Sequence, residues 1–326
     1  MSIESQPLDR HIRAIDLKKD LGQIANLVDV CFSDHMDAEG RDYLHHMRLT
    51  ARNSLYLQYA GNSPETSAYP FHGYVWEENG EVIGNLTLIF IRRRSVNSYF
   101  IANVAVHPNH RGRGIARQLT ERALRHVMEH HGAIVYLQVR DDNPVAYHIY
   151  SSAGFTEIAR RTSWRFDSDH QPPGSTLRSP GISKTRNTDW NQQKNWLLDL
   201  YPPSISWNLS FHLRHYEPGF HSWISRLTSG IQVHNWAYKP HGRLQGALIW
   251  EKGAFQTDSL WLATTPLWEE EVINTLVPYA RQHIAKPEKA YLNYPAGRSV
   301  EAFHKAGMQE HLTLVWMEKP MPHTHP

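Results

Sequence analysis

The chain has 326 residues, of which 40% are hydrophobic and 20% are charged, a composition that excludes a wholly disordered or collagen-like protein. This length predicts two domains of ordinary size, each able to bury its own core. Because the formal net charge is only +2, the composition does not indicate a dedicated nucleic-acid-binding or membrane-surface protein.

Cysteine usage and hydropathy bear on the cellular compartment. The single cysteine, Cys31, excludes an internal disulfide, and the N-terminal residues carry no signal-peptide pattern. The longest apolar stretches, such as residues 86–91, are far shorter than the ~20 residues that a membrane-spanning helix needs. We therefore expect a soluble, cytoplasmic protein with no membrane partner and no nucleic-acid partner.

The first half alternates strand-like and helix-like segments, which predicts an α/β domain with α+β layering. The predicted strands are residues 11–15, 73–77, 82–91, 99–106, 134–139 and 156–166. The predicted helices are residues 17–32, residues 114–130, and a short helix that begins after Asn143 and ends at Gly154. An Asn-Gly pair predicts the tight turn between the second and third strands.

The second half repeats the first in outline. Residues 167–181 are rich in proline, glycine and polar residues and have no apolar period, which predicts a linker. Beyond it, residues 197–200, 291–293 and 306–308 resemble residues 27–30, 136–138 and 153–155. We therefore predict two copies of one fold, with domains at residues 1–167 and 168–326.

The most informative segment is residues 104–116, in which a strand leads through a basic, glycine-rich turn into an amphipathic helix. Glycines allow backbone N–H groups to converge, and a helix N-terminus offers unpaired donors with partial positive charge. Two arginines, Arg111 and Arg113, add charge. Such a segment suits a pyrophosphate, although Gly-x-Gly also occurs in ordinary tight turns.

The pattern V-x-V-x-P-x-x-R-G-x-G-x-A, followed by N-P-x-A-x-x-x-Y and A-G-F, resembles the GNAT superfamily of acyl-CoA-dependent N-acyltransferases. The resemblance covers residues 73–166, extends back to His11, and is faint in the second half. Asn109 departs from the Gln or Arg that is frequent at its position, but the pattern is satisfied one frame later, from Arg111 to Ala116. The resemblance implies two tandem GNAT-like domains, each with a central mixed, mostly antiparallel sheet flanked by helices.

The resemblance also implies acetyl-CoA as the co-substrate, with no metal. The N–H groups after Arg111 would hold the pyrophosphate, and a splayed strand at residues 103–106 would pair with the pantetheine arm. The N–H near Val104 would stabilise the oxyanion of the tetrahedral intermediate. The implied cofactor-binding residues are Val104, Ala105, Val106, Arg111, Gly112, Arg113, Gly114, Ile115, Ala116, Asn143, Ala146 and Tyr150. The implied catalytic residues are Tyr150, Val104 and Asn103.

Tyr150 is the expected proton donor to the departing thiolate, because a phenol with a pKa near 10 keeps its proton at neutral pH. The acceptor amine, if it resembles lysine, must lose a proton before it attacks. No carboxylate marks the base, since the polar residues on or beside the strand are Tyr99, Asn103 and His107. Our hypothesis is a base that acts through an ordered water.

The second copy lacks both the glycine-rich turn and the tyrosine. Residues 264–271 contain no glycine and three glutamates where a pyrophosphate would lie, and Phe303 stands at the position of Tyr150. Like charges repel, so this half is predicted to be a degenerate copy. It either shapes the acceptor site or an interface, or only completes the fold.

Other motifs have simpler structural explanations. His126, Glu129 and His130 spell H-x-x-E-H, a zinc pattern, but histidine at a helix C-terminus also complements the helix dipole. Cys31 is expected to be a core thiol rather than a nucleophile. Residues 92–94, three arginines, indicate a solvated strand end rather than a site for RNA or an acidic substrate. Several tryptophans could line an aromatic acceptor pocket, although core filling is favoured: Trp190, Trp196, Trp207, Trp223 and Trp236.

The sequence therefore predicts an N-acetyltransferase that passes an acetyl group directly from acetyl-CoA to a primary amine of a small molecule or peptide. One alternative is a noncatalytic acyl-CoA-binding sensor or scaffold. Another is a two-domain acyltransferase resembling mycothiol synthase, in which the C-terminal copy would be active. Residues 34–70 and the second half are expected to set acceptor specificity. The acceptor, the acyl chain length and the oligomeric state stay open.

Overall fold

The computed structural model describes residues 10–33, 36, 38–53, 72–93, 96–168, 181–209, 211–219, 231–253 and 257–322. The chain divides into two compact units: unit 1 is Met1–Ile158 with Val315–Pro326, and unit 2 is Ala159–Leu314. The predicted linker and the predicted specificity segment 34–70 lie mostly outside the described residues. The predicted domains, residues 1–167 and 168–326, divide the chain between its two repeats, and this boundary stays a prediction.

Unit 1 is a mixed sheet with helices on both faces. Its elements are β1 (Ile12–Ala14), α1 (Leu17–Phe32), α2 (Ala38–Ala51), β2 (Gly73–Glu78), β3 (Glu81–Arg93), β4 (Val96–Val106), α3 (Ile115–Glu129), β5 (Ile134–Arg140) and α4 (Pro144–Ser152). Strands β1 to β5 are neighbours in chain order, and the pairs are antiparallel except for the parallel pair β4–β5. The C-terminal residues of the chain complete this unit beside β5.

Unit 2 repeats this order of elements. The repeat begins at β7, after β6 (Thr156–Phe166), which starts in unit 1. Its elements are β7 (Ile182–Lys184), α5 (Trp190–Leu200), α6 (Pro203–Ser206), α7 (Leu213–Tyr216), β8 (Val233–Tyr238), β9 (Gly246–Glu251), β10 (Asp258–Thr264), α8 (Glu269–His283), β11 (Ala290–Pro295), α9 (Val300–Lys305) and β12 (Met308–Pro320), which ends in unit 1. Strands β10 and β11 pair in parallel, whereas the pairs β7–β8, β8–β9, β9–β10 and β6–β11 are antiparallel.

The sequence repeats fall on matching elements, which confirms the tandem prediction. Residues 27–30 and 197–200 lie in α1 and α5, and residues 136–138 and 291–293 lie in β5 and β11. Gly154 and Gly307 follow α4 and α9, with left-handed φ angles of 87° and 79° that favour glycine at a helix end. Each glycine thus ends the last helix of its copy.

The core of unit 1 lies on both faces of its sheet. On one face α3 packs Leu119, Ala123 and Val127 against the strands. On the other face α1 and α2 pack an apolar stripe that includes Leu21 and Leu44. The stripe on α1 was predicted from its spacing, whereas α2 was not, because its described apolar residues are few. In the parts of the chain that the structure describes, no helix combines the length and apolar character needed to cross a membrane.

A buried ion pair fixes the start of α1. Asp20 is fully buried and accepts hydrogen bonds from Arg13 Nη1 at 2.6 Å and Nη2 at 2.8 Å, and from the backbone N–H of Asp16 at 2.7 Å. We expect Asp20→Asn to lower the free energy of unfolding by about 2 kcal/mol, because the buried carboxylate that accepts three hydrogen bonds is lost, while Arg13 keeps its ion pair with Glu77. Urea unfolding of the variant measures this.

The matched control is Asp29→Asn, which breaks the pair between Arg48 and Asp29, whose side chains are 38% and 42% exposed. Solvent screens such a pair, so its loss is expected to cost less than about 1 kcal/mol. Equal losses in the two variants would contradict the role assigned to Asp20.

Candidate functional site

The site is built at the point where β4 separates from β5. The parallel ladder pairs Ser98 with Ile134 and ends at Ile101 with Leu137, although both strands continue. Just beyond this point, Asn103 adopts a left-handed φ of 50°, and the pairing of β4 with β3 shifts register. The expected splay of residues 103–106 is therefore present, with a β-bulge at its base.

The glycine-rich turn follows this splayed strand and ends in α3. Gly112 and Gly114 have φ angles of 77° and 76°, which favour glycine because an L side chain is strained there. Gly114 is the N-cap of α3 and offers no side-chain cap to the helix. The N–H groups of the first turn of α3 are thus left for another acceptor, such as a phosphate oxygen.

A cleft of about 820 Å³ brings most of the predicted residues together. It is lined by the residues of β4, the glycine turn, the start of α3 and the β5–α4 connection. The predicted residues in its wall are Val104, Ala105, Val106, Arg111, Gly112, Gly114, Ile115, Ala116, Asn143, Ala146 and Tyr150. Two predicted residues, Asn103 and Arg113, are not in this wall.

The two arginines of the turn have different surroundings. Arg113 forms an ion pair with Glu78, with Nη2 to Oε1 at 2.5 Å, and this contact holds the pKa of the Glu78 carboxyl down at about 2. Arg111 lies in the cleft wall, and its Nε donates to the carbonyl oxygen of Val106 at 3.2 Å. Of the two arginines of the turn, Arg111 therefore contributes its positive charge to the cleft, whereas the charge of Arg113 is balanced by Glu78.

Tyr150 lies on α4 with its side chain 7% exposed and packed edge-on against Phe155. Tyr150 lines the cleft, and no group among the described residues forms a hydrogen bond with its hydroxyl. Burial raises the pKa of Tyr150 above its ordinary value, so the phenol stays protonated at neutral pH. The side chain thus has the protonation state that a proton donor needs.

Asn143 caps α4, since its Oδ1 accepts a hydrogen bond from the backbone N–H of Ala146 at 3.0 Å. Pro144 follows at the first helical position, as the N-P pattern predicts. The cap fixes the start of α4 at the cleft wall. Ala146 and Tyr150, both on α4, line the cleft.

The residues considered as bases have other surroundings. Tyr99 is buried in the core, where its ring contacts Phe90 and His126. His107 Nδ1 accepts a hydrogen bond from the backbone N–H of Asn109 at 3.3 Å. Asp142 is the one carboxylate in the described part of the cleft wall, and Arg140 pairs with it.

Sequence reasoning missed several residues at this site. Asn85 is fully buried on β3, and its Nδ2 donates to the carbonyl oxygen of Asn103 at 2.9 Å. The Asn103 side chain donates in turn to Tyr43 Oη on α2 at 3.2 Å. An asparagine at an inward position of an otherwise apolar strand was the signal that could have identified Asn85.

Cys31 is half-buried at the end of α1 and lines the cleft as well as packing against the core. Its Sγ donates to the carbonyl oxygen of Val106 at 3.3 Å. Burial is the main cause of a raised pKa for this thiol, which favours the inert, protonated form over a nucleophile.

The other motifs lie away from the cleft. His126 hydrogen-bonds to Tyr74 Oη at 2.9 Å and stacks on His130, at the C-terminal end of α3. The ligand atoms of His126, Glu129 and His130 lie within 4.8 Å of one another. Arg92 is exposed near the end of β3, whereas Arg94 lies outside the described residues. Trp190 and Trp236 belong to the core of unit 2, which Trp196 also contacts; Trp223 lies outside the described residues.

In unit 2, side chains of the protein occupy the helix N-terminus and the strand N–H that correspond to the site of unit 1. Glu269, the first residue of α8, is 3% exposed, accepts from Ser299 Oγ at 2.7 Å and pairs with Arg298. A buried carboxylate therefore lies at the helix N-terminus where unit 1 presents its glycine turn. In addition, Tyr201 Oη accepts from the backbone N–H of Leu262 on β10 at 3.2 Å.

The splayed strand, its bulge and the glycine turn at a helix N-terminus, all in unit 1, are features of the fold of acyl-CoA-dependent N-acyltransferases, and unit 2 repeats the order of elements of that fold. Residues 32–155 match the model of the acetyltransferase (GNAT) family. This match lies in unit 1, and unit 2 repeats the same order of elements, so the fold occurs in tandem.

Curated relatives and solved structures agree with this assignment. N-alpha-acetyltransferase RimI of Mycobacterium tuberculosis is 33% identical over 96 residues, which are 29% of this chain and 58% of that protein. Mycothiol acetyltransferase of Corynebacterium kroppenstedtii is 28% identical over 105 residues, or 30% of this chain and 25% of that protein. The chain thus spans less than two thirds of either relative.

Two solved structures cover nearly the whole chain. A GCN5-related N-acetyltransferase from Sphaerobacter thermophilus has a TM-score of 0.58 at 16% identity and covers 96% of both chains. A tandem GNAT protein from the clavulanic acid biosynthesis pathway has a TM-score of 0.52 at 16% identity, covering 95% of this chain and 98% of that one. At such identities the likeness shows the fold alone.

Proposed function

We propose that unit 1 transfers an acetyl group from acetyl-CoA to a primary amine of a small molecule or peptide. The observation that carries this proposal is the cleft in which the glycine turn, the splayed strand and Tyr150 meet. The N–H groups at the start of α3 and the Arg111 guanidinium would bind the pyrophosphate, because both present positive charge to an anion. The splayed part of β4 would pair with the pantetheine arm.

The reaction is a direct transfer within a ternary complex. The amine nitrogen attacks the thioester carbonyl carbon, and the N–H of Val104 stabilises the resulting oxyanion. The C–S bond then breaks, and Tyr150 donates its proton to the thiolate. The acceptor loses its own proton through ordered water, since Asp142, the one carboxylate in the described cleft wall, is already paired with Arg140.

Unit 2 is proposed to be a degenerate copy that binds no CoA. Glu269 would place a negative charge against a pyrophosphate, and Tyr201 already occupies the N–H of Leu262. Phe303, on α9, has no proton to donate. This distribution disfavours the alternative that resembles mycothiol synthase, because there the C-terminal copy would be active.

Calorimetric titration with acetyl-CoA tests the proposal. We expect one binding site per chain, because unit 1 presents an anion-binding turn and the corresponding described residues of unit 2, 264–271, do not. Two sites per chain would contradict the degenerate state of unit 2, and no binding would contradict the proposed function.

A screen of amines, aminoglycosides and peptides that follows thiol release from acetyl-CoA separates the enzyme from the alternative sensor. We expect thiol release to depend on at least one amine. Binding of acetyl-CoA without transfer to any acceptor in the panel would favour a noncatalytic sensor or scaffold.

A further inference from the structure

We infer that Asn85 is a positioning residue, whose amide sets the direction of the Val104 N–H that receives the thioester oxygen. This inference rests on the proposed function. It concerns a residue of β3 that lies outside the cleft wall and acts through the backbone of β4.

Asn85 is placed to hold one particular carbonyl. Its side chain is fully buried, and its Nδ2 donates to the carbonyl oxygen of Asn103 at 2.9 Å. Thr87 Oγ1 lies 3.5 Å from the same nitrogen. Asn85 Oδ1 is buried and has no hydrogen-bond partner among the described residues. A buried amide with one unsatisfied end is unfavourable for folding alone, so its presence calls for a functional explanation.

The held carbonyl fixes the neighbouring N–H. The peptide bond between Asn103 and Val104 is trans, as are all those in the described chain. In a planar trans peptide the C=O and the following N–H point in opposite directions. Because the oxygen of Asn103 is held toward Asn85, the N–H of Val104 is turned away from Asn85, on the side where Val104 lines the cleft.

The bulge requires such support. Asn103 has a left-handed φ of 50°, a region that few residues other than glycine adopt and in which asparagine is the most frequent kind of exception. Its side chain is held as well, since Asn103 Nδ2 donates to Tyr43 Oη at 3.2 Å. The two contacts together restrain Asn103 through both its carbonyl and its side chain.

Unit 2 supplies an internal comparison. Val106 pairs with Gly84 and Ala105 with Asn85, just as Thr264 pairs with Gly246 and Ala263 with Ala247. The copy that has Ala247 at the position of Asn85 has no register shift between β9 and β10. The N–H of Leu262, which corresponds to that of Val104, is bonded to Tyr201 Oη instead. The bulge and the asparagine thus occur in the same copy.

The test compares Asn85→Ala and Asn85→Asp with the control Thr87→Val in the full chain. The first change installs the residue of the second copy, and the second replaces the donor with a carboxylate that repels the Asn103 carbonyl. Thr87→Val removes the neighbouring hydroxyl but leaves the contact between Asn85 and Asn103. NMR of chains labelled with ¹⁵N-valine reports the Val104 amide as acetyl-CoA is added, with calorimetry for its affinity.

We expect the Val104 amide resonance of the native chain and of Thr87→Val to shift downfield when acetyl-CoA binds. Both Asn85 variants should lose this shift while the dissociation constant for acetyl-CoA changes by less than about threefold. With an amine from the screen, kcat should fall by about 10- to 100-fold at an unchanged KM for acetyl-CoA. This range lies below the loss of a complete oxyanion donor, because the N–H is misdirected rather than removed.

An unchanged Val104 shift and unchanged kcat in folded Asn85 variants would overturn the inference. Where both variants fail to fold, Tyr43→Phe decides: a weakened Val104 shift supports the restraint on Asn103, and a native shift overturns it. Failure of the native chain to bind acetyl-CoA would instead contradict the proposed function, so the two outcomes are distinguishable.

Discussion

Tyr150→Phe is expected to lower kcat for acetyl transfer by about 100-fold and to leave the affinity for acetyl-CoA unchanged. The hydroxyl makes no hydrogen bond to the described residues, so its removal breaks no contact that stabilises the fold. It does remove the group proposed to protonate the thiolate, which then leaves unprotonated. Steady-state thiol release gives kcat, and calorimetric titration with acetyl-CoA gives the affinity.

Burial raises the pKa of Tyr150, so its proton is retained at neutral pH and well into the alkaline range. We therefore expect no loss of activity from ionisation of this phenol up to at least pH ~10, its unperturbed pKa. An alkaline limb below that pH would belong to another group. We expect Tyr150→Phe to keep the native packing of the ring, since a phenylalanine, Phe303, fills the corresponding place in unit 2.

The matched control is Tyr147→Phe, one turn earlier on the same helix. The Tyr147 hydroxyl donates to Glu157 Oε2 at 3.5 Å, and Tyr147 does not line the cleft. We therefore expect Tyr147→Phe to have the native kcat and the native affinity for acetyl-CoA. A Tyr150→Phe chain with native kcat would refute Tyr150 as the proton donor.

Gly114→Asp is expected to weaken acetyl-CoA binding by about 100-fold, the second largest effect. A carboxylate at the N-cap of α3 would lie against the pyrophosphate, and two like charges about 4 Å apart repel by several kcal/mol in a partly screened site. The same carboxylate suits a helix N-terminus, so thermal stability should be retained. Titration with acetyl-CoA and a thermal melt measure the two effects.

Gly114→Asn separates charge from shape. Asparagine and aspartate have the same size, both tolerate the left-handed φ of 76° found at this position, and a new Cβ has room, with Gln118 Nε2 at 3.8 Å. We expect Asn to weaken binding by less than about tenfold, because it adds bulk without charge. Equal losses for the two variants would show that the turn does not act as an electrostatic anion site.

The local elements of unit 1 were predictable from short-range patterns. Helix 17–32 follows from the spacing of its apolar residues, and Asn143-Pro144 marks the start of α4 through its cap. The glycine turn was equally visible, because Gly112 and Gly114 adopt left-handed φ angles that glycine reaches without strain. Helix α2 was missed, since its sequence has few apolar residues.

The arrangement of charges and donors at the site required the tertiary structure. Arg111 and Arg113 both add positive charge to the turn in the sequence, yet Arg113 pairs with Glu78, the last residue of β2. Asn85 reaches Asn103 only because β3 and β4 pair with a register shift, and no spacing rule predicts a bulge at that place.

The sequence by itself determined the resemblance of the first half to a known family, the repeat and the segments that form the glycine turn. These features depend on residues close together in the chain, where backbone preferences and helix periodicity act directly. The tertiary structure alone decided which donors face the cleft and which are already occupied, such as the Leu262 N–H bonded to Tyr201. Those outcomes depend on contacts between distant residues, whose energies are set by burial and exact distance.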